Sequence, residues 1–344
     1  MTTRLRLLRH PLLGSFTGGG LATVAAVSVA VVVGCSTSSS QPVAASRCHG
    51  RSTALAGSPG PAIRRLRALG LAPTPIGAAP LLPGFGAVWA PSSAGLVKLS
   101  VPSGKSTIAV RMPIDDVAVT SSCVYGLSQV RNKLLEVDPG SLRVTRQWTL
   151  NRGSHSITAT DAAVYVAYDS GTTGVERVDL ASGKVTRATI HSASGMAADQ
   201  AIAAGAGSVW EIDGTSLYRL DPARLSLSRT TSLVASDIWF GDGSLWAASE
   251  TPNGGVERID PQNDRVEARS QADAIQIAFS PGVAWLSAAA GPTAVSSVTA
   301  RTLAALPTSS VASSGSAGIA VVGDEIWTTY SDLQRLQRIA PAEN

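Results

Sequence analysis

Seven times between Trp89 and Trp327 the chain repeats one phrase: an aliphatic residue, seven intervening positions, then a Trp or Tyr. The aromatics are Trp89, Tyr125, Tyr165, Trp210, Trp246, Trp285 and Trp327, spaced 36 to 45 residues apart, and eight positions before them stand Leu81, Val117, Ile157, Ile202, Ile238, Ile277 and Ile319. A period near 40 with several short β patterns in each unit predicts an all-β, seven-bladed β-propeller of four-stranded antiparallel blades.

The aliphatic residue opens the first, innermost strand of each unit, and a short Gly-containing turn such as Gly205-Ala206-Gly207 leads to the aromatic strand. A third strand alternates apolar and polar residues, as in Val175-Glu176-Arg177-Val178-Asp179 and Val256-Glu257-Arg258-Ile259-Asp260, so one face packs on a neighbouring blade and the other is wetter. Asp138, Asp179, Asp221 and Asp260 then stand where the chain reverses. Aspartate favours such turns because its carboxylate accepts nearby backbone N–H groups.

These strands resemble the seven-bladed propellers of the YVTN, NHL and streptogramin-lyase-like repeat families, whose units share a G-x-[VI]-[WY]-V strand and a V-x-R-[IV]-D strand. The resemblance runs from about Gly77 to Ile339 and implies the fold; such propellers serve as enzymes, sensors and scaffolds alike. Streptogramin lyases use a His and a Glu late in the chain with a divalent metal, whereas no His follows His191 here. Asp179-Leu180-Ala181-Ser182-Gly183-Lys184 is similar to a quinoprotein turn but lacks the Trp that should follow, so no quinone cofactor is expected. No catalytic residue carries over.

The N-terminus has a separate message. Arg4, Arg6 and Arg9 precede an apolar run from Leu21 to Val33, and Val32-Val33-Gly34-Cys35 closes it, which is the layout of a secretory signal peptide. The run is too short for a permanent membrane span. Its ending resembles the bacterial lipobox, in which cleavage precedes a Cys that carries diacylglycerol on its sulfur. This reading makes residues 1–34 a signal peptide, Cys35 the lipidated N-terminus of a protein held on the extracytoplasmic side of the cell membrane, and residues 35–62 a flexible tether rich in Ser, Ala, Gly and Pro. The alternative is an ordinary signal peptide that happens to contain a cysteine.

Removal of residues 1–34 lowers the formal charge from +4 to +1, which leaves no footprint for nucleic acid. The propeller is expected over residues 63–344, as a monomer. Residues 63–69 include Arg64, Arg65 and Arg67 and read as one or two helical turns, either touching anionic headgroups or simply solvated. The seventh unit ends after its third strand near Ile339, so the segment from Leu69 to Ile76 is expected to supply the missing outer strand, where Pro73 and Pro75 are tolerable.

With Cys35 lipidated, Cys48 and Cys123 remain as a pair in an oxidising compartment, where either a disulfide or two free thiols is open. Just before the inner strands lie Asp115, Asp116, His155, Asp199, Asp237 and Asp273, drawn from five consecutive blades. Ring closure should bring them to one mouth of the central channel, where carboxylates attract cations or amines and raise one another's pKa. The competing reading makes them ordinary turn residues. Two functions follow: a non-catalytic scaffold binding a protein or small ligand, or a metal-dependent hydrolase or lyase at the acidic mouth. A divalent cation in the channel is the one cofactor left open.

Overall fold

The computed structural model describes residues 48, 66–73, 76, 80–192, 201–249, 255–288, 295–306, 316–330 and 335–341. Every regular element among them is a β-strand. The strands form seven sheets in which each strand pairs antiparallel with its sequence neighbour, giving blade 1 (82–110), blade 2 (116–149), blade 3 (154–192), blade 4 (201–232), blade 5 (237–270), blade 6 (276–299) and blade 7 (316–341). Six sheets have four strands; blade 6 has three among the described residues, with a single further bridge between Val298 and Ala305. Inner strands pack on inner strands around a full circle, the first strand of blade 7 (Ser316–Val322) lying against that of blade 1 (Leu82–Gly84). The ring is a closed seven-bladed β-propeller.

Closure uses the chain before blade 1. Strand Leu66–Pro73 pairs antiparallel with Arg335–Pro341 and becomes the fourth strand of blade 7. This corrects two expectations. The donor begins three residues earlier than Leu69, and Leu66 to Leu69 are extended instead of helical, because the open edge of Arg335–Pro341 offers a ladder of backbone hydrogen bonds that a short helix would forgo. Residues 63–65, and Pro75 of the expected donor segment, lie outside the described residues.

The seven aromatics are all buried, none more than 2% exposed. Their register is identical: each pairs with the residue after the repeat's aliphatic position, from Leu82 opposite Trp89 to Ala320 opposite Trp327. On the other side stand Lys98, Glu136, Arg177, Arg219, Arg258, Ser297 and Arg338 in turn. Lys98, Arg219 and Arg338 place their charge over the facing indole at 5.4, 5.7 and 5.5 Å, a cross-strand cation–π pair.

These rings face the next blade. Trp210 stacks on Phe240 at 5.9 Å and Trp246 packs on Phe279 at 5.3 Å. A Cβ on Gly205 would lie 2.1 Å from the Phe240 ring, so the glycine closing that inner strand makes room for the neighbouring aromatic. Buried indole N–H groups are satisfied, for example Trp89 to Gly84 O at 3.1 Å and Trp246 to Gly241 O at 2.9 Å. The turn aspartates act as expected: Asp138, Asp179, Asp221 and Asp260 accept N–H groups of Ser141, Ser182, Arg224 and Gln262 at 2.6, 2.8, 2.7 and 2.8 Å.

Candidate functional site: an acidic rim with one uncompensated carboxyl

Inner strands of a propeller run in one direction, so their first residues share a rim. Asp116 and Asp237 are those first residues in blades 2 and 5, and Asp115, His155 and Asp273 lie at or just before the start in blades 2, 3 and 6. Asp199 lies outside the described residues.

Most of these groups are committed to the fold. Asp116 is half-buried and accepts the N–H of Val117 and, across the blade boundary, the N–H of Ile157, both at 2.8 Å. Burial pushes its carboxyl up to about 6, against the opposing pull of these hydrogen bonds and one from Ser156. Asp237 likewise accepts the N–H of Ile238 at 2.8 Å, and Gln276, the corresponding residue of blade 6, reaches Ile319 N–H of blade 7 at 2.6 Å. This position works as a latch between blades. Asp115, exposed, accepts Gln129 N–H at 2.7 Å. His155 holds Nδ1 2.8 Å from Gly153 O, and because a carbonyl can only accept, Nδ1 is the donor. Asp273 is exposed.

These residues form a band along the rim, not one pocket. Among the described residues, the one trio of potential metal ligands gathered within 4.8 Å is Cys48, Cys123 and Glu136, and its two sulfurs are bonded to each other. That disulfide, with Cα atoms 5.7 Å apart, pins Cys48 to blade 2. Beneath it Glu136 replaces the usual facing cation, accepts Tyr125 O–H at 3.2 Å and Thr145 O–H at 2.7 Å, and pairs with Arg146, whose guanidinium lies 5.0 Å from the Trp148 ring. Burial and the Glu136 charge push the Tyr125 phenol up.

The second strand of each blade returns to the same rim, and it brings acids that the repeat pattern passed over: Asp169 in blade 3, Glu211 and Asp213 in blade 4. Glu211 is fully buried and neither of its oxygens has a hydrogen-bond partner. The other buried carboxylates among the described residues are matched: Glu136 by Arg146, Glu176 by Arg187 and Asn151 N–H, Asp264 by the Trp210 indole with Arg219 and Arg229 beside it. Burial, then Asp213 and Asp169, push the Glu211 carboxyl up to about 8. The position after the repeat aromatic holds Ala90, Gly126, Val166, Ala247, Leu286 and Thr328 in the other blades, so an acid there was the visible signal.

No protein-family model matches the chain, and no curated protein does. Solved structures resemble it in fold. A chain of the mitotic checkpoint complex is 11% identical with a TM-score of 0.67, covering 82% of this chain and 95% of that one. The Pan2 WD40 domain of Neurospora crassa gives 11%, 0.65, 83% and 98%, and BamB of Moraxella catarrhalis gives 14%, 0.56, 81% and 98%. At such identities the shared property is the propeller, so this chain has a seven-bladed β-propeller fold similar to those of WD40 and BamB structures.

Proposed function

We propose that this protein is a non-catalytic binding scaffold, lipid-anchored through Cys35 at the extracytoplasmic face of the cell membrane, that presents its acidic rim to a protein partner. The observation that carries the reading is the disposition of the rim acids: Asp116 is committed to tying blade 2 to blade 3, while Asp115 and Asp273 stay exposed and leave negative charge on the rim. Such an arrangement attracts a basic surface without assembling a nucleophile, base and electrophile. Two of the similar structures support a protein partner, one belonging to a protein complex and one being a WD40 domain. The basic N-terminus, apolar run and Gly34-Cys35 junction support the anchor.

The test places photo-crosslinking residues at Asp115 and Asp273 on the rim and at Asp161 and Asp242 in the opposite-face turns. Crosslinks concentrated on the rim and lost at high salt support the reading. Equal labelling of both faces, or turnover of ester or phosphoester substrates that requires a divalent metal, overturns it.

A further inference from the structure

Blades 3 and 4 meet along a seam whose upper end is built of acids. Val209 packs with Tyr165 and Val175 of blade 3, and strand alternation puts Glu211 and Asp213 on the same side of their strand as Val209. Asp169 shares the face of Tyr165, whose hydroxyl crosses the seam to Pro222 O at 3.0 Å. Asp169 and Asp213 are half-buried at the rim, and Glu211 lies fully buried beneath them with both oxygens unpartnered. We propose that this seam is a binding site for a primary ammonium group, with Glu211 as its inner carboxylate and Asp169 and Asp213 at its mouth. The inference stands whether or not the chain is lipid-anchored or the rim holds a protein.

Charge and geometry select this ligand. Asp213 is a fixed anion: burial pushes its carboxyl up, but hydrogen bonds from Thr215, Tyr218 and Ser216 outweigh burial and hold it below the usual range. The oxygens of Asp169, Glu211 and Asp213 do not all lie within 4.8 Å of one another. A calcium ion draws its ligands to about 2.4 Å, so they lie at most about 4.8 Å apart across it. An ammonium needs no closed coordination shell: it can donate directly to Glu211 while Asp169 and Asp213 act on it from the mouth as nearby negative charges. The open arrangement suits a single cationic donor better than a chelated metal.

Binding must also move a proton. Glu211, with its carboxyl pushed up to about 8, is the neutral acid at pH 7, and an unpaired cation favours the carboxylate. On binding, the Glu211 O–H bond breaks and its proton passes to solvent, while the ligand keeps its own three protons because a lysine-type amine titrates near 10.4. The charges that act on Glu211 are Asp213, just past the end of its strand, and Asp169 on the second strand of blade 3; Tyr218 on the third strand of blade 4 donates to Asp213, Glu176 is paired with Arg187, and Arg177 pairs with Asp179 at the far end of the seam. Affinity should therefore rise about tenfold per pH unit below pH 8 and level off above it.

Calorimetric titration of the mature chain with cadaverine and with Nα-acetyl-lysine amide, in phosphate and in HEPES, tests the proposal. We expect binding with release of close to one proton at pH 7, and the tighter ligand identifies the source as a free diamine or a lysine side chain. Glu211→Gln, which preserves shape, should abolish the proton release and weaken binding at least about tenfold at pH 8. Asp169→Asn should weaken binding yet keep the proton release. Absence of heat with both amines, an unchanged proton count in Glu211→Gln, or calcium binding that Glu211→Gln removes would each overturn the ammonium site.

Discussion

The carboxylate of Asp116 accepts the backbone N–H of Ile157 at 2.8 Å and so ties the inner strand of blade 2 to the inner strand of blade 3. Gln276 does the same for Ile319 with a side chain one methylene longer, at 2.6 Å. At these two boundaries the inner strand leaves an N–H with no ladder partner, and a side chain from the preceding blade satisfies it. Asp116→Ala removes the acceptor and strands the Ile157 N–H. Chemical denaturation should show a loss of about 1 to 3 kcal/mol, with Asp116→Asn losing less; a loss no larger than for the exposed Asp273→Ala would show that the latch contributes nothing.

The disulfide closes a loop with a sequence separation of 75. In the chain-entropy picture a loop of that size restricts the unfolded chain by about 4 kcal/mol. Cys48→Ser with Cys123→Ser should therefore lower stability by about 2 to 5 kcal/mol while leaving the far-ultraviolet spectrum of the propeller intact. Equal stability with and without a thiol reductant would show that the bridge does not form in solution.

Trp246 tests the blade interface. It is fully buried, packs on Phe279 at 5.3 Å and donates to Gly241 O at 2.9 Å. Trp246→Ala leaves a large cavity between blades 5 and 6 and an unfilled acceptor, so the expected cost is about 3 to 5 kcal/mol. Trp246→Phe keeps most of the ring and should recover more than half of it. A cost below about 1 kcal/mol would place the ring at a surface instead of a packed seam.

The ring was legible in the sequence because its constraints are local and repeated: an aromatic at one register position, a cation or small polar residue opposite it, and an aspartate at the turn. Most blades state most of them again, so a departure such as Glu136 opposite Tyr125 does not hide the pattern. Closure was legible in need but not in position, since any extended segment can pair with an open edge and Leu66–Pro73 differs from the expected donor by only three residues. The rim was harder. Asp116 and Asp115 look alike in sequence, but only the register shows that one faces the neighbouring backbone and the other solvent. Glu211 is hidden from the inner-strand pattern because it stands on the returning second strand, one position past Trp210, where the other blades carry small or apolar residues.

The pH dependence of stability should single out Glu211. Its folded carboxyl is pushed up to about 8 from an ordinary value of 4.5. Below pH 4.5 the acid is neutral whether the chain is folded or not, and burial carries no ionic penalty. Between 4.5 and 8 the unfolded chain releases a proton that the folded chain keeps, so stability falls as pH rises; above 8 both forms are ionised and the loss levels off. The full loss is roughly 3 to 5 kcal/mol. Glu211→Gln cannot ionise, so its stability curve should be flatter over that window and the variant should be more stable than the parent at pH 9 by most of that amount. Parallel curves for parent and variant would mean that Glu211 finds a counter-charge in solution, and a millimolar primary amine restoring parent stability at pH 9 would identify the chemistry that provides it.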